Sequence, residues 1–283
     1  MRQRTPLTND IAAQQRSAWQ VPGFELPLWL GRSTEYCVII PVINEGERIR
    51  GLVDRMRKLG LNALIDVIIV DGGSTDRSLV ASELQQQGLR GLIVKTGAGA
   101  LGAQLRCGYA FAMDQGYQGT ITIDGNGKDD PEAIPRFIEA LRAGVDFAQA
   151  SRFIPGGLAE HTPRVRELAI RWVHAPLLSL CSGFNWTDTT QGFRAYSKRI
   201  LIDPRVAPFR DIFSGYELLA YMSYRIPRLG YRCLELPTAR RYPPAGKTPT
   251  KISGVRGNLR VLSAALNSCA GRFNPSSGGA ARP

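Results

Sequence analysis

The chain has only two histidines, His161 and His174, and their 13-residue separation suits neither a helical metal pair nor an H-E-x-x-H site. Zinc chemistry and Ser-His-Asp chemistry are both poor expectations. Cys37, Cys107, Cys181, Cys233 and Cys269 are odd in number, scattered and never in a C-x-x-C pair, so they signal neither a disulfide framework nor a thiolate zinc site. They read as reduced thiols. No apolar run approaches the roughly 18 residues of a spanning helix, and MRQRTPLTNDIAAQQRSAWQ lacks the apolar core of a secretory signal. A cytoplasmic chain without a membrane span is expected. Acidic residues are scarce in one region: positions 199–283 hold 14 basic and 4 acidic side chains, against 22 and 20 in positions 1–198, so most of the net +12 sits in the last third. Nucleic acid, an anionic membrane surface and a phosphorylated substrate are all consistent with that charge.

What is present is the material of a globular core. With 283 residues, 43% hydrophobic and 21% charged, the chain suits one large α/β domain or two small ones, and wholesale disorder is excluded. From Cys37 short β-branched runs alternate with amphipathic stretches: CVIIPV then 45–59, DVIIV then 75–87, GLIVK then 98–115, TITID then 131–142, DFAQAS then 164–180. This predicts βαβ units and a mostly parallel sheet covered by helices on both faces. From Asp188 the order loosens into an α+β third, with GFRAYS and YRCLELPTARRY strand-like and 213–225 and 255–268 helical. Residues 1–35 read as an arm packed over the domain, 36–255 as the domain, 256–270 as a C-terminal helix, and 271–283 as a disordered tail.

Ligands of open α/β sheets bind beyond the carboxyl ends of the strands. The loops there hold Pro41 to Glu45, Asp71 to Asp76, Gly97 to Gly102 and Asp124 to Asp130. GAGALG follows a strand, opens a helix and precedes Asp124 by 22 residues, the formal pattern of a dinucleotide site. It lies on the third βα unit, however, whereas such a fingerprint normally sits on the first. The second reading uses all four loops together. Asp124-Gly-Asn126 closes a strand with two oxygen donors, which suits a divalent cation shared with the diphosphate of a nucleotide-sugar. Asp71 is then placed to accept from a base N–H, with Asn44 and Glu45 lining the pocket. Ser74, Thr75 and Asp76 read better as caps of the next helix.

The ordered motifs P-x-x-N-E, D-G-G-S-T-D, G-A-x-x-x-x-G, TIDGNGKDDPEAIPRFI, SRFIPGG, DTTQGFRAYS, YELL and GKTPTKIS resemble those of the inverting family 2 glycosyltransferases, and most closely the dolichyl-phosphate mannosyltransferases and other polyprenyl-phosphate sugar transferases. The resemblance covers about residues 36–255. It implies the GT-A fold, a nucleotide-diphosphate-sugar donor, Mg2+ or Mn2+, and inversion at the anomeric carbon. It also implies that Pro41, Asn44, Glu45 and Asp71 surround base and ribose, with Asp124, Gly125, Lys128 and Lys251 toward the diphosphate. Asp124 and Asn126 are the implied metal ligands, Arg152 and Arg166 the acceptor-phosphate contacts, and Asp188, Arg152 and Glu217 the catalytic candidates.

Three positions depart from the family pattern: Ile43 replaces a tyrosine, Gly72 an aspartate, and Asn126 the second aspartate of D-x-D, with Lys128 beside it. An amide ligates Mg2+ or Mn2+ more weakly than a carboxylate, and a neighbouring ammonium repels the ion. Weak metal binding is therefore expected, with Lys128 supplying charge to the diphosphate, unless Asp129 or Asp130 supplies the missing carboxylate. A polyprenyl-phosphate acceptor is already a nucleophilic anion and needs no base. A glycan hydroxyl acceptor would need one, for which Asp188 and Glu217 are candidates. A lipid acceptor suggests peripheral attachment to the cytoplasmic membrane face through the basic run 225–260, with Tyr224, Tyr231 and Tyr242 at the headgroups. Val255, Leu259, Leu262 and Leu266 read more readily as a core-facing stripe. Nucleic-acid binding lacks a recognised module, and a catalytically silent paralogue is the remaining alternative, motivated by Asn126.

Overall fold

A computed structural model describes residues 16–243 and 254–276. Among these, eight strands form one sheet in the order β1-β4-β3-β2-β5-β8-β6-β9: β1 Phe24–Trp29, β2 Tyr36–Val42, β3 Asp66–Asp71, β4 Gly91–Lys95, β5 Gly119–Thr122, β6 Phe147–Ser151, β8 Arg194–Ser197 and β9 Cys233–Pro237. β7 Leu158–Glu160 and β10 Ala239–Arg241 pair separately, in parallel. Strands β4, β3, β2 and β5 run parallel, whereas β8 is antiparallel to both neighbours.

The apolar runs alternate between two cores because side chains of a strand alternate between faces. Val38, Ile40, Val42, Val67 and Ile69 enter one core with helices α1 Glu47–Lys58 and α4 Ile134–Arg142. Cys37, Ile39, Ile68 and Val70 enter the other, with α3 Leu101–Asp114 and α8 Glu217–Arg228. Both faces are covered, as the pattern predicts, and each fully buried Ile or Val contributes about 1.5–3 kcal/mol. The remaining helices are α2 Ala81–Gln86, α5 Arg164–Ala169, α6 Ala175–Ser182, α7 Lys198–Leu201 and α9 Gly254–Cys269. A π-helical turn, Ile170–His174, joins α5 to α6.

The ends of the chain differ from expectation. The supposed arm contributes β1, an antiparallel edge strand on β4 whose register shifts between Glu25 and Leu28, around Pro27, which has no N–H to donate to the ladder. Trp19 stacks on Phe209 at 4.0 Å. The expected disordered tail is ordered at its start, where Phe273 meets Phe213 edge-on at 5.9 Å and its carbonyl accepts from Arg210 Nη2 at 2.5 Å. Lys251 and the GKTPTKIS segment up to Ser253 lie outside the described residues.

Candidate active site

The strand order reverses between β2 and β5, the first and fourth strands of the parallel set, and a crevice forms beyond their carboxyl ends. The loops after β2 and β3 are bonded to each other there. Asn44, in the left-handed region at φ 50°, accepts from the Thr75 amide at 2.7 Å, and its own amide donates to Ser74 Oγ at 3.0 Å. Asp71 accepts from Ser74 Oγ at 2.6 Å and from the Ser74 and Gly73 amides. Glu45 pairs with Arg48 at 2.9 Å. Pro41 lies in β2 opposite Val70. Asn44 and Asp71 are thus brought together through Ser74, with Glu45 on the same loop and Pro41 in the strand before it, although the Asp71 carboxylate is spent on its own turn. The predicted helix caps are not: α2 starts only at Ala81, with Val80 at its N-cap. Ser74 and Thr75 clasp Asn44 instead, while Asp76 accepts from Gly46 and Ser78.

Asp124 follows β5 at the reversal. Arg240 Nη2 donates to its Oδ2 at 3.0 Å and Arg240 Nη1 to Asp129 Oδ1 at 2.5 Å, so one buried guanidinium bridges two carboxylates. Asn126 Nδ2 lies 3.3 Å from the same Asp124 oxygen, and Asn126 Oδ1 accepts from the Lys128 amide. Burial works to raise the Asp124 carboxyl, but Arg240 and Lys128 prevail and lower it; in Asp129 burial prevails and raises it. Burial, with Arg240 adding to it, brings the Lys128 ammonium down to about 8. Gly125 is forced by packing: a Cβ there would lie 2.9 Å from Val42 Cγ2.

Tyr242 collects the cations. Lys128 Nζ lies 4.9 Å from its ring centroid, with the Arg166 and Arg240 guanidinium carbons at 5.9 and 6.0 Å, and Arg166 Nη1 donates to its hydroxyl at 3.2 Å. Burial would push that phenol up; Arg240 above all, then Arg152, Arg166 and Lys128, bring it down to about 7. Asn126, Lys128 and Tyr242, with Arg48, Arg55 and Arg241, line a cleft of about 440 Å³ against α1. Tyr242, Tyr224 and Tyr231, expected at a headgroup interface, are all buried.

Asp188, expected as a candidate base, is fully buried and committed to neighbouring side chains. It accepts from Arg152 Nε at 2.7 Å and from Gln191 Nε2 at 2.8 Å, and so positions the guanidinium. Arg152 Nη1 is buried without a hydrogen-bond partner. Glu235, the lone acid of the basic run, accepts from the Thr187 and Asp188 amides and fixes this loop. Glu217 begins α8 and accepts from the Gly215 amide at 2.6 Å.

The dinucleotide reading of GAGALG fails on geometry. The N-terminus of α3, where a pyrophosphate would sit, is closed by the 213–215 loop: Ser214 O accepts from the Ala100 amide at 2.8 Å, and a Cβ on Gly102 would lie 2.5 Å from Phe213 O.

Residues 37–203 match the model of the Glycosyl transferase family 2. The chain belongs to this family. It is 31% identical over 202 residues to undecaprenyl-phosphate mannosyltransferase of Micrococcus luteus, covering 70% of this chain and 80% of that protein. To polyprenol monophosphomannose synthase of Mycolicibacterium smegmatis it is 29% identical over 205 residues, 71% and 75% of the two. Among solved structures, mannosyl-3-phosphoglycerate synthase of Rubrobacter xylanophilus superposes with a TM-score of 0.58 at 16% identity, over 93% of this chain and 77% of that one. Glucosyl-3-phosphoglycerate synthase of Mycobacterium tuberculosis, in complex with Mn2+, uridine-diphosphate and glucosyl-3-phosphoglycerate, does so at 0.54 and 16%, over 98% and 88%. The fold is the GT-A fold of these neighbours, and the protein is a glycosyltransferase.

The second of these neighbours binds Mn2+, and Mg2+ or Mn2+ is the divalent cation expected for this chain. The residues of this family 2 chain do not fit one as they stand. The acid expected to hold it, Asp124, shares Arg240 with Asp129, and Lys128 stands beside them. Two carboxylates are thus already balanced by two cations, and like unit charges about 4 Å apart repel by about 4 kcal/mol near a protein surface. Asp130, the other expected donor, is held by Arg55 at 3.0 Å. Among the described residues, no three His, Cys, Asp or Glu side chains gather into a metal-holding group.

Proposed function

We propose that this glycosyltransferase moves a sugar, with inversion, from a nucleotide-diphosphate-sugar to a polyprenyl phosphate. The observation that carries the reading is a string of cations about Asp124 and Tyr242, with Lys128 and Arg240 at the carboxylate, Arg166 on the phenol and Arg152 acting on it. Such a string suits two anions, a leaving diphosphate and an attacking phosphate monoester. The mannosyltransferase relatives, named for undecaprenyl-phosphate and polyprenol, support the lipid acceptor.

In this mechanism base and ribose sit against Pro41, Asn44, Glu45 and Asp71, and the diphosphate lies toward Asp124 and Lys128. Arg166 and Arg152 orient the acceptor phosphate. One of its oxygens attacks the anomeric carbon from the face opposite the diphosphate; the new C–O bond forms as the old one breaks, and the electron pair leaves on the diphosphate. No proton is transferred, which agrees with a buried Asp188 committed to Arg152. A glycan hydroxyl as acceptor would require a base, and neither Asp188 nor Glu217 is free of other bonds.

The lipid is met at a membrane surface. No helix of the described residues is long and apolar enough to cross a membrane. The α5–α6 segment nevertheless exposes Val165, Leu168, Trp172 and Leu180, with Trp172 at 75% and Leu180 at 85%, and carries the exposed Arg164 and Arg171 among them. Beside it, α9 packs through Ala264, Ala265 and Ser268; of the stripe expected to face the core, Leu259 and Leu266 are exposed and Leu262 is half-buried. Apolar side chains flanked by arginines suit peripheral attachment to an anionic leaflet.

The test is transfer of label from a panel of nucleotide-sugars, GDP- and UDP-linked, into the organic phase with undecaprenyl phosphate as acceptor. One donor is expected to give a lipid-soluble product. No product with any donor, under conditions where the chain binds nucleotide, would overturn the reading.

A further inference from the structure

We propose that this enzyme carries its own counter-cation for the donor diphosphate, the Arg240 guanidinium with Lys128 beside it, in place of a divalent metal ion. The inference rests on the nucleotide-sugar reading above and adds to it how the diphosphate is held.

Three observations converge. First, the residue expected to complete the metal pair is Asn126, and it hydrogen-bonds to Asp124 and to the Lys128 amide instead of turning a second carboxylate into the crevice. Second, Arg240 reaches Asp124 from β10, a strand remote in sequence, and ties it to Asp129. The main chain reinforces the approach, since Asp129 and Arg240 form a β-bridge and the Arg241 amide donates to Lys128 O at 2.9 Å. Third, Arg240 Nε and Asp129 Oδ2 are buried without hydrogen-bond partners. Asp124, Asp129, Arg240 and Lys128 sum to zero. A dication added here raises the charge against two resident cations, whereas a diphosphate draws Arg240 and Lys128 toward itself.

The arrangement is built rather than incidental. The loop 126–128 and the end of β10 are fastened to each other by backbone, so the two cations move with the wall of the crevice and not with a soluble ion. A guanidinium offers a planar fork of donors that matches phosphate oxygens.

The test uses the full chain with GDP and UDP as probes, by calorimetric titration in excess EDTA and again in MnCl2, alongside a Mn2+ titration followed by electron paramagnetic resonance. At least one nucleotide is expected to bind in EDTA with an affinity within about threefold of that in Mn2+. No stoichiometric loss of the free Mn2+ signal is expected, with or without nucleotide. Lys128→Met is expected to weaken binding in EDTA at least about tenfold, and Arg240→Lys, which retains a charge for the two acids, to weaken it less than Arg240→Gln. Nucleotide binding that requires Mn2+, or uptake of one Mn2+ per chain, overturns the inference and leaves sugar transfer standing. Absence of nucleotide binding in either medium overturns the donor reading and the inference with it. The wild-type titrations decide the matter even if the Arg240 variants do not fold.

Discussion

Gly192 has no side chain because Asp124 stands where one would be: a Cβ there would lie 2.2 Å from Asp124 Oδ1. Gly192→Ala is therefore expected to displace that carboxylate and weaken GDP or UDP binding at least about tenfold, about 1.4 kcal/mol, by calorimetric titration; unchanged affinity would contradict the placement. At Asp188 the sequence suggested a base and the structure shows a counter-ion. Asp188→Asn leaves the Arg152 guanidinium uncompensated in the interior, at a cost of about 3 kcal/mol or more in chemical denaturation. The pH profile of any residual transfer should keep its shape, whereas a lost base would flatten it. Asp124 and Lys128 were legible because they follow a strand end within a few residues. Arg240 and Tyr242 were not, because their partners lie from 76 to 116 residues away and only the β10 crossing brings them near. Glu235 carried a faint signal, as the single acid among nine basic residues. Such an isolated charge asks what it neutralises or accepts from.

Among the elements, the helices and strands of the first two thirds follow the periodicities of 3.6 and 2, and the observed boundaries fall close to those expected. The misreadings lie where turn chemistry competed with helix chemistry. Ser74 and Thr75 look like caps, but the Asp71 turn and Asn44 use their hydroxyl and amide first. The α5–α6 segment was legible as a helix and not as a face, since nothing in the sequence says which side a neighbour covers. Its exposed Trp172 gives a test: binding to vesicles containing anionic lipid is expected to fall as salt rises toward 0.5 M or so and to drop sharply in Trp172→Asp, by co-sedimentation. Equal binding by that variant would remove the face from membrane contact. Within the same segment, burial lowers the His174 pKa from 6.5. The unfolded chain then takes up the proton that the fold refuses, so stability is complete above about pH 6.5 and is lost as pH falls below it. The unfolding temperature should therefore decline between about pH 7 and pH 5, and decline less in His174→Gln.

For the molecule as a whole, the excess charge first admitted nucleic acid, membranes and phosphates alike. The fold divides it. Part is drawn inward, with Arg240 buried against Asp124 and Asp129, and part lies with Arg260, which acts together with Arg166 and Asp124 on Tyr216. The parallel sheet was readable because its buried strands are continuous apolar runs. The edge strand β1 was hidden because Pro27 breaks its pattern and its partner β4 lies some 65 residues on. In the transfer proposed above, the nucleophile is a lipid phosphate, activated by charge and not by a base. The direct measurement offers undecaprenyl phosphate and undecaprenol side by side, with the same labelled donor, and counts label in the organic phase. Product is expected from the phosphate alone; comparable product from the free alcohol would rule out transfer without a base.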